Sequence, residues 1–251
     1  MSHEKATQDR SDKVWQTSAL VATYLEGVRA AIPLAQEQID LLLRVIAAAR
    51  NESGLSFLDL GCGDGVLANA VLDRFGSAHG VLADFSEPML EAARRRLARH
   101  AGRAHYIHTD YALPAWVDSA RPFAPFDAVI SGFSIHHQPD ERKREVYGEI
   151  YRLLAPGGVF VNIEHVSSPT RWLATIHDEL FVDHLHAVHP NEARAEVETN
   201  YYNRPDKAAN ILAPVELQCQ WLREIGFTDV DCYLKIFELA VFGGRKSASA
   251  R

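Results

Sequence analysis

Cysteine is scarce in this chain of 251 residues: only Cys62, Cys219 and Cys232, an odd number at wide spacings. Such a set suggests neither a disulfide framework nor a C-x-x-C metal site. Long apolar runs are missing as well, since no stretch approaches the roughly 18 residues that a membrane helix needs. Basic excess is also absent. The chain has 26 Lys and Arg against 33 Asp and Glu, a formal charge of −7, and its one basic cluster, "RRR" at 94–96, is short. That balance disfavours a phosphate backbone as partner, so no nucleic acid is expected. The N-terminus "MSHEKATQDRSDK" is polar, without the apolar stretch of a targeting segment. These absences predict a cytoplasmic protein with no membrane partner, acting as a monomer or homodimer. Internal repeats and low-complexity segments are likewise missing. Apolar residues are plentiful, at 47%, enough for a single domain with an insertion.

Residues 1–13 and the closing "KSASAR" read as disordered. Residues 14–50 read as a helical cap, in which Ala35, Ile39, Leu42, Leu43 and Ile46 share a face after Pro33. From 51 to 165 strands and helices alternate: "LSFLDL", "HGVLAD", "HYIHTD", "FDAVISGF" and "VFVNIEHV" are strand-like, with helical patterns between them. Ser86, followed by Glu87 and Pro88, reads as the cap of a helix running to about His100. Five alternations predict an α/β fold with a parallel sheet covered on both faces. Residues 166–213 break the rhythm as a polar insertion, expected to be a lid with little material for a core. Residues 214–246 resume it with a helix and two strand-like runs, most simply an antiparallel hairpin.

The stretch "FLDLGCGDGV" at 57–66 combines three glycines with two carboxylates. A dinucleotide fingerprint needs G-x-G-x-x-G, whereas Gly61, Gly63 and Gly65 form G-x-G-x-G. A pyrophosphate at this loop would also be repelled by Asp59 and Asp64. Two unit charges about 4 Å apart interact by roughly 4 kcal/mol at an effective dielectric of about 20. No Gly-Lys-Ser/Thr follows, which excludes a P-loop. The ligand is therefore expected to be cationic near the loop. S-adenosyl-L-methionine, with an ammonium, a sulfonium and no phosphate, meets that requirement.

"DLGCGDG" resembles the first motif of the class I S-adenosylmethionine-dependent methyltransferases, and the likeness runs from about residue 30 to 243. It implies a doubly wound, seven-stranded, mostly parallel Rossmann-like sheet, with a C-terminal antiparallel hairpin and an insertion before the last helix. Asp59, Gly61 and Gly63 are then the expected cofactor contacts of the loop. Asp84 ends the second strand, where a carboxylate can accept both ribose hydroxyls. Phe85 and Met89 either line an adenine pocket or pack a helix. By resemblance, Asp110 accepts from the adenine amino group, Tyr111 lies against the ring, and Ser131 ends the strand that passes the methionine moiety. Tyr24 and Arg29 match Y-x(4)-R-x(3)-P, which in some relatives lies near the cofactor carboxylate; the alternative is a solvated helix face.

Methyl transfer from a sulfonium is an in-line displacement, so the protein mainly aligns the acceptor and removes its proton where needed. Candidates cluster at the carboxyl ends of the fourth and fifth strands and in the insertion. His136, Glu164 and His165 are expected to form the floor of an acceptor site, with the His-rich insertion, His184 included, as its roof. Five of the twelve histidines fall between 165 and 189. No compact signature such as H-E-x-x-H is present, so no metal ligand is assigned. The fourth strand lacks the Asn/Asp-Pro-Pro-Tyr/Phe signature of amino-group nucleic-acid methyltransferases, and no Pro-Cys nucleophile is found. Both absences point to a small-molecule acceptor methylated at O, N or S. The alternatives are a carboxy-S-adenosylmethionine synthase-like enzyme, which normally reads "DLGCS", a non-catalytic cofactor-binding module, and a nucleic-acid methyltransferase.

Overall fold

A computed structural model describes residues 10–17, 21, 31–49 and 54–248. After a 3-10 helix at Ser11–Gln16 comes α1 (Ala35–Ala49), which buries Leu42 and Ile46 against the sheet. The alternating section runs β1 (Ser56–Leu60), α2 (Val66–Arg74), β2 (His79–Asp84), α3 (Glu87–Arg96), β3 (Ala104–His108), α4 (Trp116–Ala120), β4 (Phe126–Gly132), α5 (Asp140–Leu153) and β5 (Leu154–His165). The insertion carries α6 (Arg171–Val188) and α7 (Arg194–Tyr202). The chain closes with α8 (Val215–Ile225), β6 (Phe227–Ile236) and β7 (Leu239–Lys246).

The seven strands form one sheet in the order β3-β2-β1-β4-β5-β7-β6. Pairing is parallel from β3 to β5, while β7 runs antiparallel to both β5 and β6. The order reverses between β1 and β4, the switch point at which open α/β sheets form a crevice beyond their carboxyl ends. One face is covered by a core containing Trp116, Tyr147, Phe160 and Phe242. The other holds Phe57, Val71, Leu82 and Ile130. Strands buried on both faces need continuous apolar runs, and β4 supplies one.

Several boundaries differ from expectation. Residues 10–13 are not a free tail: Asp12 is buried, and Arg10 pairs with both Asp12 and Asp110. The helix opened by Ser86, whose side chain accepts from the Met89 N–H, stops at Arg96 and gives way to a 3-10 helix at Ala98–Arg103. The third strand ends at His108, two residues before Asp110. The insertion contributes to a small separate core, in which Phe181, Val182 and Leu185 of α6 pack with Val197 and Tyr201 of α7 and with Ala31 from before α1. Among the described residues, no helix is long and apolar enough to cross a membrane.

Candidate functional site

The carboxyl ends of β1, β2, β4 and β5 open into one cavity, roofed by the 3-10 helix at 11–16 and by the insertion. One end is the glycine loop. Gly61 and Gly63 have φ of +67° and +53°, backbone that L side chains rarely adopt. A side chain at Gly61 would strike Ser134, whereas at Gly63 it would point into open cavity, with Met89 Sδ the nearest atom at 3.9 Å. Gly63 is therefore where a ligand can approach backbone.

Beside the loop lies Asp84, whose Oδ2 accepts from the Gly63 N–H and Oδ1 from the Ser86 N–H, both at 2.8 Å. Burial pushes its pKa up to about 6, although those N–H groups and His108 pull the other way. A carboxylate offers about four acceptor positions, so the side chain can still receive hydroxyl donors. Phe85 and Met89 line the same end, and Trp15 joins them from the 3-10 helix, held by a hydrogen bond from Ser86 Oγ to the Trp15 carbonyl. Gly61 to Asp64, Asp84, Phe85 and Met89 thus form a cradle with an acid at its edge, which suits a nucleoside.

The loop carboxylates behave differently from their expected roles. Asp64 lines the cavity but forms a salt bridge with Arg96, so its charge is largely neutralised. Asp59 is buried away from the cavity lining, and its Oδ2 accepts from the Ala68 N–H in the first turn of α2. Its charge stabilises a helix N-terminus rather than facing a ligand.

Other expected cofactor residues are placed as follows. Tyr111 lines the cavity, with its hydroxyl tied to Ser134 at 2.7 Å. Asp110 is absent from the lining; one oxygen accepts from Arg10 at 2.6 Å and the other from the Ala112 N–H at 2.9 Å. Ser131 is buried and donates to the Leu60 carbonyl at 2.7 Å, tying β4 to β1. The chain reaches the cavity only after it, at Gly132, Phe133 and Ser134, with Phe133 at a φ of +49°. Tyr24 and Arg29 lie outside the described residues.

At the opposite end, the strands bring β4 and β5 side by side, Gly132 pairing with Ile163. His136, just beyond β4, therefore meets Glu164 at the end of β5. The His136 Nδ1 to Glu164 Oε1 distance is 2.6 Å, and the His136 backbone N–H donates to Glu164 Oε2 at 3.1 Å. His136 lines the cavity, whereas Glu164 is wholly buried behind it. Glu164 thus holds a cavity residue rather than being one. Burial pushes Glu164 up to about 7, against hydrogen bonds from the His165 N–H and Asn162. Burial, and the neighbouring His165, hold His136 well below the ordinary imidazole value. A neutral His136 that gives its Nδ1–H to Glu164 keeps Nε2 as a proton acceptor.

His165 and His137 also line the cavity, with His137 Nδ1 donating to the Ala209 carbonyl at 3.1 Å. The insertion contributes His177, Phe181, Tyr201, Lys207 and Asn210 to the lining, but not His184. Seven residues separate His184 from His177, which returns it to a similar helix face roughly 10 Å further along the axis. It lies beyond the cavity for that reason. Sequence reasoning missed Asp12, Asn210 and Glu238. Their only signal would have been spatial, since they come from a terminal segment, the end of the insertion and a hairpin turn.

A methyltransferase-domain family model matches residues 57–158. The chain is 31% identical over 228 residues to a demethylmenaquinone methyltransferase of Clavibacter sepedonicus, covering 89% of this chain and 86% of the relative. A protein of the same name from Thermus thermophilus is 35% identical over 127 residues, 50% of this chain and 54% of its own length. Among solved structures, an O-methyltransferase family protein from Burkholderia thailandensis superposes with a TM-score of 0.61 at 19% identity. That match covers 86% of this chain and 57% of the larger protein, and it concerns the fold alone.

Proposed function

The chain belongs to the class I S-adenosylmethionine-dependent methyltransferases, and we propose that it methylates a small acceptor whose hydroxyl must lose a proton. The observation that carries this reading is the buried His136–Glu164 pair, with Nδ1 and Oε1 2.6 Å apart and the ring in the cavity wall. The bound cofactor supplies an electrophilic methyl group on a sulfonium. Gly63 allows close backbone approach of that cofactor, Asp84 accepts from its ribose hydroxyls, and Phe85 and Met89 give its base an apolar surface. His136 Nε2 takes the acceptor's hydroxyl proton. Glu164 fixes the tautomer and stabilises the imidazolium that forms, the division of labour of a base and its orienting acid.

Phe133, Phe181 and Leu239 give the acceptor end an apolar wall, which favours a ring or another apolar body carrying the hydroxyl. A second reading, an acceptor of the demethylmenaquinone type, draws support from the relative that is 31% identical over 86% of its length. The test is release of S-adenosylhomocysteine from purified protein, given hydroxylated aromatic compounds and demethylated quinols in separate reactions. Proton and carbon NMR of the product distinguishes methylation at oxygen from methylation at ring carbon. Turnover confined to amines or thiols without a hydroxyl would overturn the reading.

A further inference from the structure

Three side chains from separate elements meet at the acceptor end of the cavity: His165 at the end of β5, His177 in α6, and Glu238 in the turn between β6 and β7. The antiparallel register causes this, because His165 pairs with Leu239 and so lies beside Glu238. One potential ligand atom of each residue lies within 4.8 Å of the others. His165 Nε2 is 3.0 Å and His177 Nε2 is 4.0 Å from Glu238 Oε2.

A second, independent feature is the state of His177. Its ring is buried, 2% exposed, yet its Nδ1 has no hydrogen-bond partner among the described residues. Its Nε2 stands beyond hydrogen-bond range of Glu238. Buried polar groups are ordinarily paired, whereas at 4.0 Å Glu238 leaves the lone pair of His177 Nε2 unengaged. A metal ion bound at that Nε2 would engage it, with Nδ1 as the protonated side of the ring.

We propose that His165, His177 and Glu238 bind one divalent first-row transition-metal ion, of the kind that zinc represents. Two imidazoles and a carboxylate form a known ligand set for such ions. Bonds of about 2.0–2.2 Å in a tetrahedral arrangement place ligand atoms about 3.3 Å apart. The observed 3.0 and 4.0 Å separations reach that value with a shift of under about 1 Å. One outer contact holds a ligand in place: the Ser168 N–H donates to Glu238 Oε1 at 3.2 Å. Three protein ligands leave a coordination position towards the cavity, open to water or an acceptor oxygen. Ion binding is independent of the His136–Glu164 reading, since neither of those residues is a ligand.

The test is titration of the full chain with Zn²⁺ by calorimetry, and in parallel with Co²⁺ by visible absorption. One ion per chain is expected. His177→Ala and Glu238→Gln should each weaken binding by about 100-fold or more, at least the loss seen when an outer partner is removed. Thermal melts without metal establish that each variant is folded; Glu238→Gln keeps the side-chain shape and carries the test if His177→Ala does not fold. Failure of the wild-type chain to take up one equivalent overturns the proposal. So does unchanged affinity in the folded variants, which would place the ion on other histidines.

Discussion

Two glycines of one loop should give opposite phenotypes when each is replaced by alanine. Both have positive φ, so alanine costs about 1–2 kcal/mol of backbone strain at either position. At Gly61 the new Cβ would also lie 1.9 Å from Ser134 Oγ and 2.6 Å from Ser134 Cβ. Rotating the serine side chain moves its oxygen away but not its Cβ, which is fixed to the backbone. Ser134 is itself bonded to Tyr111 at 2.7 Å, so relief of the clash disturbs the cavity wall. Overpacking of this kind adds about 1–3 kcal/mol. Gly61→Ala should therefore lose about 2–5 kcal/mol of stability in all. At roughly 2–4 °C per kcal/mol for a chain of this size, its Tm falls by about 4–20 °C. Gly63→Ala should lose only about 2–8 °C, because no neighbour lies closer than 3.9 Å. Its methyl group, however, occupies the space where the cofactor approaches backbone. Thermal melts paired with S-adenosylmethionine titration separate the two effects. The reasoning fails if Gly61→Ala melts no lower than Gly63→Ala, or if Gly63→Ala binds cofactor with native affinity.

Other perturbations have equally definite outcomes. Asp84→Ala should weaken cofactor binding by about 1.5–3 kcal/mol, the worth of hydrogen bonds to a charged group; calorimetry measures it, and native affinity would remove Asp84 from the site. Burial raises the Asp84 pKa to about 6, so the accepting carboxylate is ionised above that value. Cofactor affinity should accordingly be flat above about pH 7 and weaken as pH falls through about 6, and an affinity unchanged down to pH 5 would contradict the assignment. Glu149 accepts from Trp116 Nε1 at 2.6 Å and from both terminal nitrogens of Arg142. Glu149→Ala should cost up to about 3–5 kcal/mol, because it removes the buried counter-charge of Arg142 and leaves only the exposed Glu145, 2.8 Å away; denaturant melts showing less than about 1 kcal/mol would refute it.

How much of this was legible in the sequence depends on how far apart the cooperating residues lie. The glycine loop and Asp84 could be read because a strand, a tight turn and a helix start are local events. That His136, Glu164 and His165 lie close together could also be read, since parallel neighbours β4 and β5 bring their carboxyl ends side by side, but the His136–Glu164 hydrogen bond could not. The charge argument at the loop was incomplete, because Arg96, which neutralises Asp64, arrives from a helix 32 residues later. Asp59 has the right chemistry for a ligand but is held by the first turn of α2 instead. His184 shows the limit of helical periodicity, which gives a face but not a position along the axis. Glu238 was invisible because its place depends on β7 inserting antiparallel between β5 and β6, a long-range pairing with no local signature. Similarly, the core of the insertion depends on α6 meeting α7, which a tally of polar residues does not show.

The role of His136 is open to one decisive comparison: methyl-transfer turnover and cofactor Kd, both measured for the wild-type chain and for His136→Ala with the same hydroxylated acceptor. If His136 removes the hydroxyl proton, the variant should bind S-adenosylmethionine with unchanged Kd and turn over about 10²–10⁴-fold more slowly. Turnover within a few-fold of wild type would contradict base catalysis by His136 and leave alignment of the acceptor as the source of the rate.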